Sequence, residues 1–122
     1  MSVAEIHTLT ARAVSIFVLL ITLFAIFRLI QNAPLGSDFW GAVLIGEGLI
    51  VIQTILGVIL LIQGQMPARI IHFLYGGLNL LAWPAAYTYT RGQDSRRETI
   101  IWALVSAFLF GLSLRAAGTG GM

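Results

Sequence analysis

The chain alternates between long apolar segments and short polar connections. Four segments are apolar over about the 20 residues that a helix needs to cross the hydrocarbon core of a bilayer, and they cover residues 6–30, 39–62, 70–90 and 99–116. Inside a bilayer, backbone N–H and C=O groups must be satisfied within each segment, so helices are the expected structure. Short connections place consecutive helices antiparallel. The pattern therefore predicts one all-α integral membrane domain over residues 1–122, an up-down-up-down four-helix transmembrane bundle.

Composition supports a membrane protein and excludes several other classes. Hydrophobic residues make up 58% of the 122 residues and charged residues 10%, whereas a soluble domain carries roughly 25% charged residues. The apolar content excludes intrinsic disorder. The net charge of +2 is too small and too scattered for a nucleic-acid partner. The chain has no cysteine, which excludes disulfides, thiolate metal sites and covalently attached haem. The expected partner is the lipid bilayer.

The distribution of arginine predicts how the chain lies in the membrane. The end of the predicted bundle with the first and third connections carries four arginines, and the other end carries three. The first group is Arg28, Arg91, Arg96 and Arg97, and the second is Arg12, Arg69 and Arg115. Basic residues are enriched in cytoplasmic loops. We therefore expect a multi-pass protein of the cell membrane with both termini outside the cytoplasm.

His7 and His72 are the two histidines of the sequence. Each lies a few residues inside the start of its predicted helix, and the first and third helices run parallel, so both lie at the same end of the bundle. Two neutral imidazoles at matched depth on facing helices suit the axial positions of one haem. Ala11 and Gly76 each follow a histidine by four residues and share its helix face. Their small side chains leave room for a flat macrocycle.

Three arginines lie at the same end of the predicted bundle as the histidines. Arg69 precedes His72 by three residues, Arg115 ends the fourth segment, and Arg12 lies about 7 Å deeper than His7. Guanidinium groups bind carboxylates, so these arginines are candidates to bind haem propionates. A second interpretation stays open, in which the histidines bind lipid headgroups or form internal hydrogen bonds and the arginines anchor the helices at the interface.

Three more polar residues lie within the predicted spans. Glu47 is about 13 Å along the second helix, where an ionisable group is a candidate for an intramembrane proton site or for pairing with another subunit. A protonated carboxyl that is hydrogen-bonded within the bundle is the alternative. Gln53 and Asn79 both fall near mid-membrane, where each is expected to form hydrogen bonds across the helices.

Three short motifs resemble those of one known family. Glu5-Ile6-His7 opens the first predicted helix, Gln53-Thr54-Ile55-Leu56-Gly57-Val58 lies in the second, and Pro67 is followed by Ile71-His72-Phe73-Leu74. Over residues 5–82 the chain resembles half of a heme A synthase, a membrane family that pairs two four-helix halves, each with two haem-coordinating histidines. The resemblance implies that His7 and His72 coordinate haem.

The chain departs from the family pattern at Ala4 and Thr8, where a carboxylate and an arginine are usual, so the resemblance implies haem binding more than oxidation chemistry. The favoured hypothesis is a small b-type haem protein that binds haem b between two histidines, for electron transfer or haem handling. The alternatives are a haem-free accessory subunit of a larger respiratory or photosynthetic membrane complex, and a half-length heme A synthase homologue that acts as a homodimer. No nucleophile, phosphate loop or carboxylate pair predicts another catalytic site.

Overall fold

The chain is helical throughout the residues that the structure describes. The computed structural model describes residues 1–120, which form four helices and no strand. The helices are α1 (Val3–Ile30), α2 (Gly36–Ile62), α3 (Ile71–Thr90) and α4 (Arg96–Thr119). The prediction of an all-α chain is confirmed. The predicted domain of residues 1–122 extends over two residues that lie outside the described ones.

Three helices are longer than the apolar segments that predicted them. α1, α2 and α4 each begin three residues before the predicted start, and α4 also ends three residues later. The added first turns carry the acidic residues Glu5, Asp38 and Glu98. At α1, the Oγ atom of Ser2 accepts a hydrogen bond from the Glu5 N–H at 3.1 Å, which caps the helix. Polar first turns lie outside the apolar pattern, which explains the shorter predicted segments.

Three of the four predicted spans have the length and composition of a membrane-crossing helix. These are α1, α2 and α4. α3 has 20 residues and is shorter than the other three helices. It is also less apolar, because it contains Gly76, Gly77, Asn79 and Pro84. The structure therefore describes a helical chain with three helices apolar enough to cross a bilayer, and α3 differs from them.

The helices pack around a common centre. α1 packs against α2 and α4, and α3 packs against α4 and, less closely, against α2. Within the described residues, the backbones of α1 and α3 do not approach each other. A contact between α1 and α3 must therefore be made by side chains that reach across the middle of the helix group.

Large buried aromatic side chains fill the end of the molecule where α2 and α4 begin. Phe39 and Trp102 are fully buried and pack edge to face, with ring centroids 5.8 Å apart. The indole N–H of Trp102 donates to the Oγ1 atom of Thr90 at 3.2 Å. Deeper in the core, the indole N–H of Trp83 donates to the Oγ atom of Ser106 at 3.1 Å. The aromatic rings pack against one another at this end, and a cavity lies between the helices at the end at which α1 and α3 begin.

Candidate functional site

His7 and His72 face each other across the middle of the helix group. His7 is the fifth residue of α1 and His72 is the second residue of α3. Their ring centroids lie 6.3 Å apart, and the ring planes are inclined by 44°. Two imidazoles on opposite sides of one metal, with bonds of about 2 Å and ring centres about 1 Å behind the nitrogens, have centroids about 6 Å apart. The observed separation matches that of two axial ligands of a single metal, and it also lies within the 4.5–7 Å range of two aromatic rings in contact.

The hydrogen bond of His72 defines which of its nitrogens is free. Its Nδ1 atom lies 2.7 Å from the carbonyl oxygen of Ala116, with the Oγ1 atom of Thr119 at 3.3 Å. A carbonyl oxygen only accepts hydrogen bonds, so Nδ1 carries the proton and donates it. The neutral ring therefore has a free lone pair on Nε2. Metal-binding histidines typically have this arrangement, in which the other ring nitrogen donates to a carbonyl or carboxylate.

The hydrogen bond of His7 is made with a side-chain amide. The Nε2 atom of Gln53 lies 3.0 Å from the Nδ1 atom of His7. Beside the ring, a Cβ atom added at Gly57 would lie 3.2 Å from the Nε2 atom of His7, so the glycine lets that nitrogen lie close to α2. His7 therefore has its Nδ1 next to Gln53 and its Nε2 next to Gly57, both on α2.

A cavity of about 430 Å³ lies between the four helices at this end. Cofactor and small-molecule sites typically have volumes of about 300–1,000 Å³. His7, His72 and the two small residues Ala11 and Gly76 all line it. The structure thus brings together the two candidate ligands and the two residues that the sequence selected for their small size.

The cavity reaches the outer surface between α2 and α3. Leu61 on α2 and Phe73 on α3 line it and are 37% and 40% exposed. α2 and α3 are also the neighbouring helices that pack least closely. The cavity therefore borders the surface where α2, α3 and the connection between them meet.

Two residues that line the cavity have a buried amide oxygen without a hydrogen-bond partner. The atoms are Oε1 of Gln53 and Oδ1 of Asn79. The Nδ2 atom of Asn79 instead donates to the backbone oxygen of Tyr75, one turn earlier in α3, at 2.8 Å. The expected hydrogen bond across the helices is thus confirmed for Gln53, which contacts His7 on α1, and is wrong for Asn79, whose amide nitrogen donates within α3.

The three arginines proposed as propionate ligands lie outside the cavity wall. Arg12, Arg69 and Arg115 are exposed, and none of them is among the described residues that line the cavity. The backbone N–H of Arg69 donates to the carbonyl oxygen of Thr119 at 3.1 Å, which places it at the histidine end. The structure does not bring these arginines together with the histidines, and their role stays a prediction.

Glu47 lies away from the histidines. It is half-buried in α2, its Oε1 atom is buried without a hydrogen-bond partner, and it does not line the cavity. Its predicted role as a proton or pairing site stays a prediction.

The donor set favours haem over a bare metal ion. Within residues 1–120, no three histidine or carboxylate side chains are grouped so that they can hold a metal ion, whereas protein zinc sites use three or four protein ligands. Haem supplies the four ligands in its own plane and needs only the two axial ones. Two imidazoles at metal-bridging distance in a largely apolar cavity fit that requirement.

The sequence missed two partners of the histidines. The sequence shows Gln53 as a polar residue inside a predicted span but does not show that it contacts His7. The acceptor for His72 is the backbone carbonyl of Ala116, for which a sequence carries no signal.

No protein-family model, curated protein or solved structure matches the chain. The resemblance to half of a heme A synthase stays a prediction.

Proposed function

We propose that this protein is a small b-type haem protein of the membrane, in which His7 and His72 are the axial ligands of one haem b. The 6.3 Å separation of the two ring centroids carries the proposal. The free Nε2 of His72 and the cavity between the helices support it. The absence of cysteine from the sequence favours a non-covalent b-type haem.

The proposed architecture is an up-down-up-down four-helix transmembrane bundle in which α3 is the fourth span. Contacts at the histidine end support it. There the start of α1 meets the later part of α2 through His7 and Gln53, and the start of α3 meets the end of α4 through His72 and Ala116. The polar and small residues of α3 are accounted for by its position beside the cavity, since a helix that lines a site needs less apolar surface than one surrounded by lipid.

The proposed chemistry follows from the ligand set. A bound haem would supply one-electron redox chemistry, and filled axial positions favour electron transfer or haem handling. His72 is oriented by the carbonyl of Ala116, His7 is oriented by Gln53, and the small residues Ala11 and Gly76 keep the space between them open. In this proposal Arg12, Arg69 and Arg115 bind the propionates from the histidine end, which requires their side chains to turn towards the cavity.

A reduced-minus-oxidised spectrum of the purified protein, expressed with haem available, tests the proposal. We expect a sharp b-type α band that is lost in His7→Ala and in His72→Ala. Leu9→Ala and Leu74→Ala are matched controls, because each lies two residues after a histidine on the same helix and is 48% or 57% exposed. Both controls should keep the band.

A colourless preparation whose stability is unchanged in both histidine variants would overturn the haem proposal. It would favour the haem-free accessory subunit of a larger membrane complex. A half-length heme A synthase homologue would instead be identified by a haem product with an oxidised methyl group.

A further inference from the structure

We infer that Gln53 makes His7 the displaceable one of the two axial ligands, so that a small neutral molecule such as carbon monoxide binds the iron on the His7 side. The inference rests on the proposed haem site. It assigns different roles to two histidines that look equivalent in the sequence, and it adds a ligand-binding function to a haem whose axial positions are both filled.

The two imidazoles have different kinds of partner. His72 faces a backbone carbonyl, which only accepts, so its proton is held on Nδ1 and its Nε2 is ready to bind a metal. His7 faces the amide of Gln53, which carries both a donor and an acceptor. The backbone therefore determines which nitrogen of His72 carries the proton. For His7, the position of the proton depends on which way the amide of Gln53 is turned.

In the structure the amide nitrogen of Gln53 is the atom next to His7. A neutral ring that accepts a hydrogen bond at Nδ1 carries its own proton on Nε2. That nitrogen then has no lone pair for a metal. His7 binds iron through Nε2 only after the amide turns by 180° and presents Oε1, to which a protonated Nδ1 donates.

The turn of the amide is permitted by its surroundings. The Oε1 atom of Gln53 has no hydrogen-bond partner, so turning the amide breaks no bond except the one to His7. A Cβ atom added at Gly57 would lie 3.2 Å from the Nε2 of His7, so this nitrogen lies close to α2 in the structure. Ligation by His7 thus requires a rearrangement that ligation by His72 does not, and His7 is the weaker of the two ligands.

The tautomers can be measured in the haem-free protein, independently of the proposed function. We expect the ¹⁵N chemical shifts of labelled histidine to place the proton of His72 on Nδ1 and that of His7 on Nε2. In Gln53→Glu the carboxylate accepts only, and the His7 proton should move to Nδ1. Gln63→Glu is the matched control, since Gln63 is exposed at the end of α2 and does not line the cavity. A proton on Nδ1 of His7 in the wild-type protein would overturn the inference.

Carbon monoxide titration of the reduced, haem-loaded protein tests the consequence. We expect the wild-type protein to bind carbon monoxide, Gln53→Glu to bind it about tenfold more weakly because His7 is held as a ligand, and Gln63→Glu to match the wild type. Equal affinity in the wild type and Gln53→Glu would overturn the inference.

The histidine variants provide a measurement that does not depend on the folding of Gln53→Glu. We expect His7→Ala to keep haem bound through His72 and to bind carbon monoxide, and His72→Ala to lose most of its haem. Equal haem loss in both variants would contradict the assignment of His7 as the weaker ligand. Failure of every variant and of the wild type to bind haem would overturn the proposed function, while the tautomer measurement would still decide the role of Gln53.

Discussion

Gly46 lies where α2 comes closest to the ring of Trp83. A Cβ atom added there would lie 2.7 Å from the Cζ3 atom of Trp83 and 3.0 Å from the Cδ1 atom of Phe17. Trp83 is 1% exposed, and its indole N–H is bonded to Ser106, so the ring has little freedom to move. We expect Gly46→Ala to lower the free energy of unfolding by about 1–3 kcal/mol, measured by denaturation of the protein in detergent micelles.

Gly48 provides the matched control on the same helix. A Cβ atom added there has no other atom within 4 Å. Alanine also has a higher helix propensity than glycine. Gly48→Ala should therefore leave the free energy of unfolding unchanged or raise it by up to about 1 kcal/mol. Equal losses of unfolding free energy in the two variants would show that contact with Trp83 is not the reason why alanine is unfavourable at position 46.

At the scale of single residues, the sequence identifies the side chains whose chemistry is rare in the chain. His7 and His72 stand out by residue type, and Ala11 and Gly76 follow from the four-residue spacing on a helix. Gln53 was visible as a polar residue, but its contact with His7 depends on how α2 is rotated about its axis. α2 is apolar around most of its circumference, and such a helix gives a weak signal of its rotation.

At the scale of elements, α3 is joined to α4 by two indole hydrogen bonds. Trp83 donates to Ser106, and Trp102 donates to Thr90. Polar contacts between membrane helices are worth about 0.6 kcal/mol on average and at most near 2 kcal/mol. Removing the acceptor also leaves a buried N–H without a partner, which adds to the cost.

We expect Ser106→Ala to lower the free energy of unfolding by about 1–2 kcal/mol for this reason. Ser37→Ala is the control, because Ser37 is exposed in the first turn of α2 and makes no described side-chain hydrogen bond. Denaturation monitored by tryptophan fluorescence reports on both variants, since Trp83 itself lies at the altered bond. An unchanged stability of Ser106→Ala would contradict a contribution of this bond to the packing of α3 on α4.

The helices could be predicted from the apolar pattern, but the contacts between them could not. The predicted ends of α1, α2 and α3 are the observed ones, because each apolar segment stops at polar or glycine-containing turns. The expected bond of Asn79 across the helices failed because a polar side chain in a helix has a competing acceptor in its own preceding turn. Asn79 uses that acceptor, the carbonyl of Tyr75.

At the scale of the whole molecule, the two ends differ in packing and in charge. The end with the histidines contains the cavity, and the opposite end contains the packed aromatic rings. At that opposite end, the guanidinium of Arg96 donates to the side-chain oxygen of Asn32 at 3.0 Å and so connects the start of α4 to the first loop. The sequence places more arginine at this end than at the histidine end. The expectation that the aromatic end faces the cytoplasm rests on this difference and on the positive-inside rule.

Single cysteines test both the crossing of α3 and this orientation, because the natural sequence contains no cysteine. We expect a membrane-impermeant maleimide to label Ser2→Cys and Gln65→Cys in intact cells, and to label Ser37→Cys and Gln93→Cys only after the membrane is opened. All four positions are exposed. Gln65 and Gln93 lie on either side of α3, so labelling of both from the same side would mean that α3 does not cross the bilayer. The reverse pattern at all four positions would keep the four spans and invert the orientation, which would place the histidines and their cavity near the cytoplasmic surface.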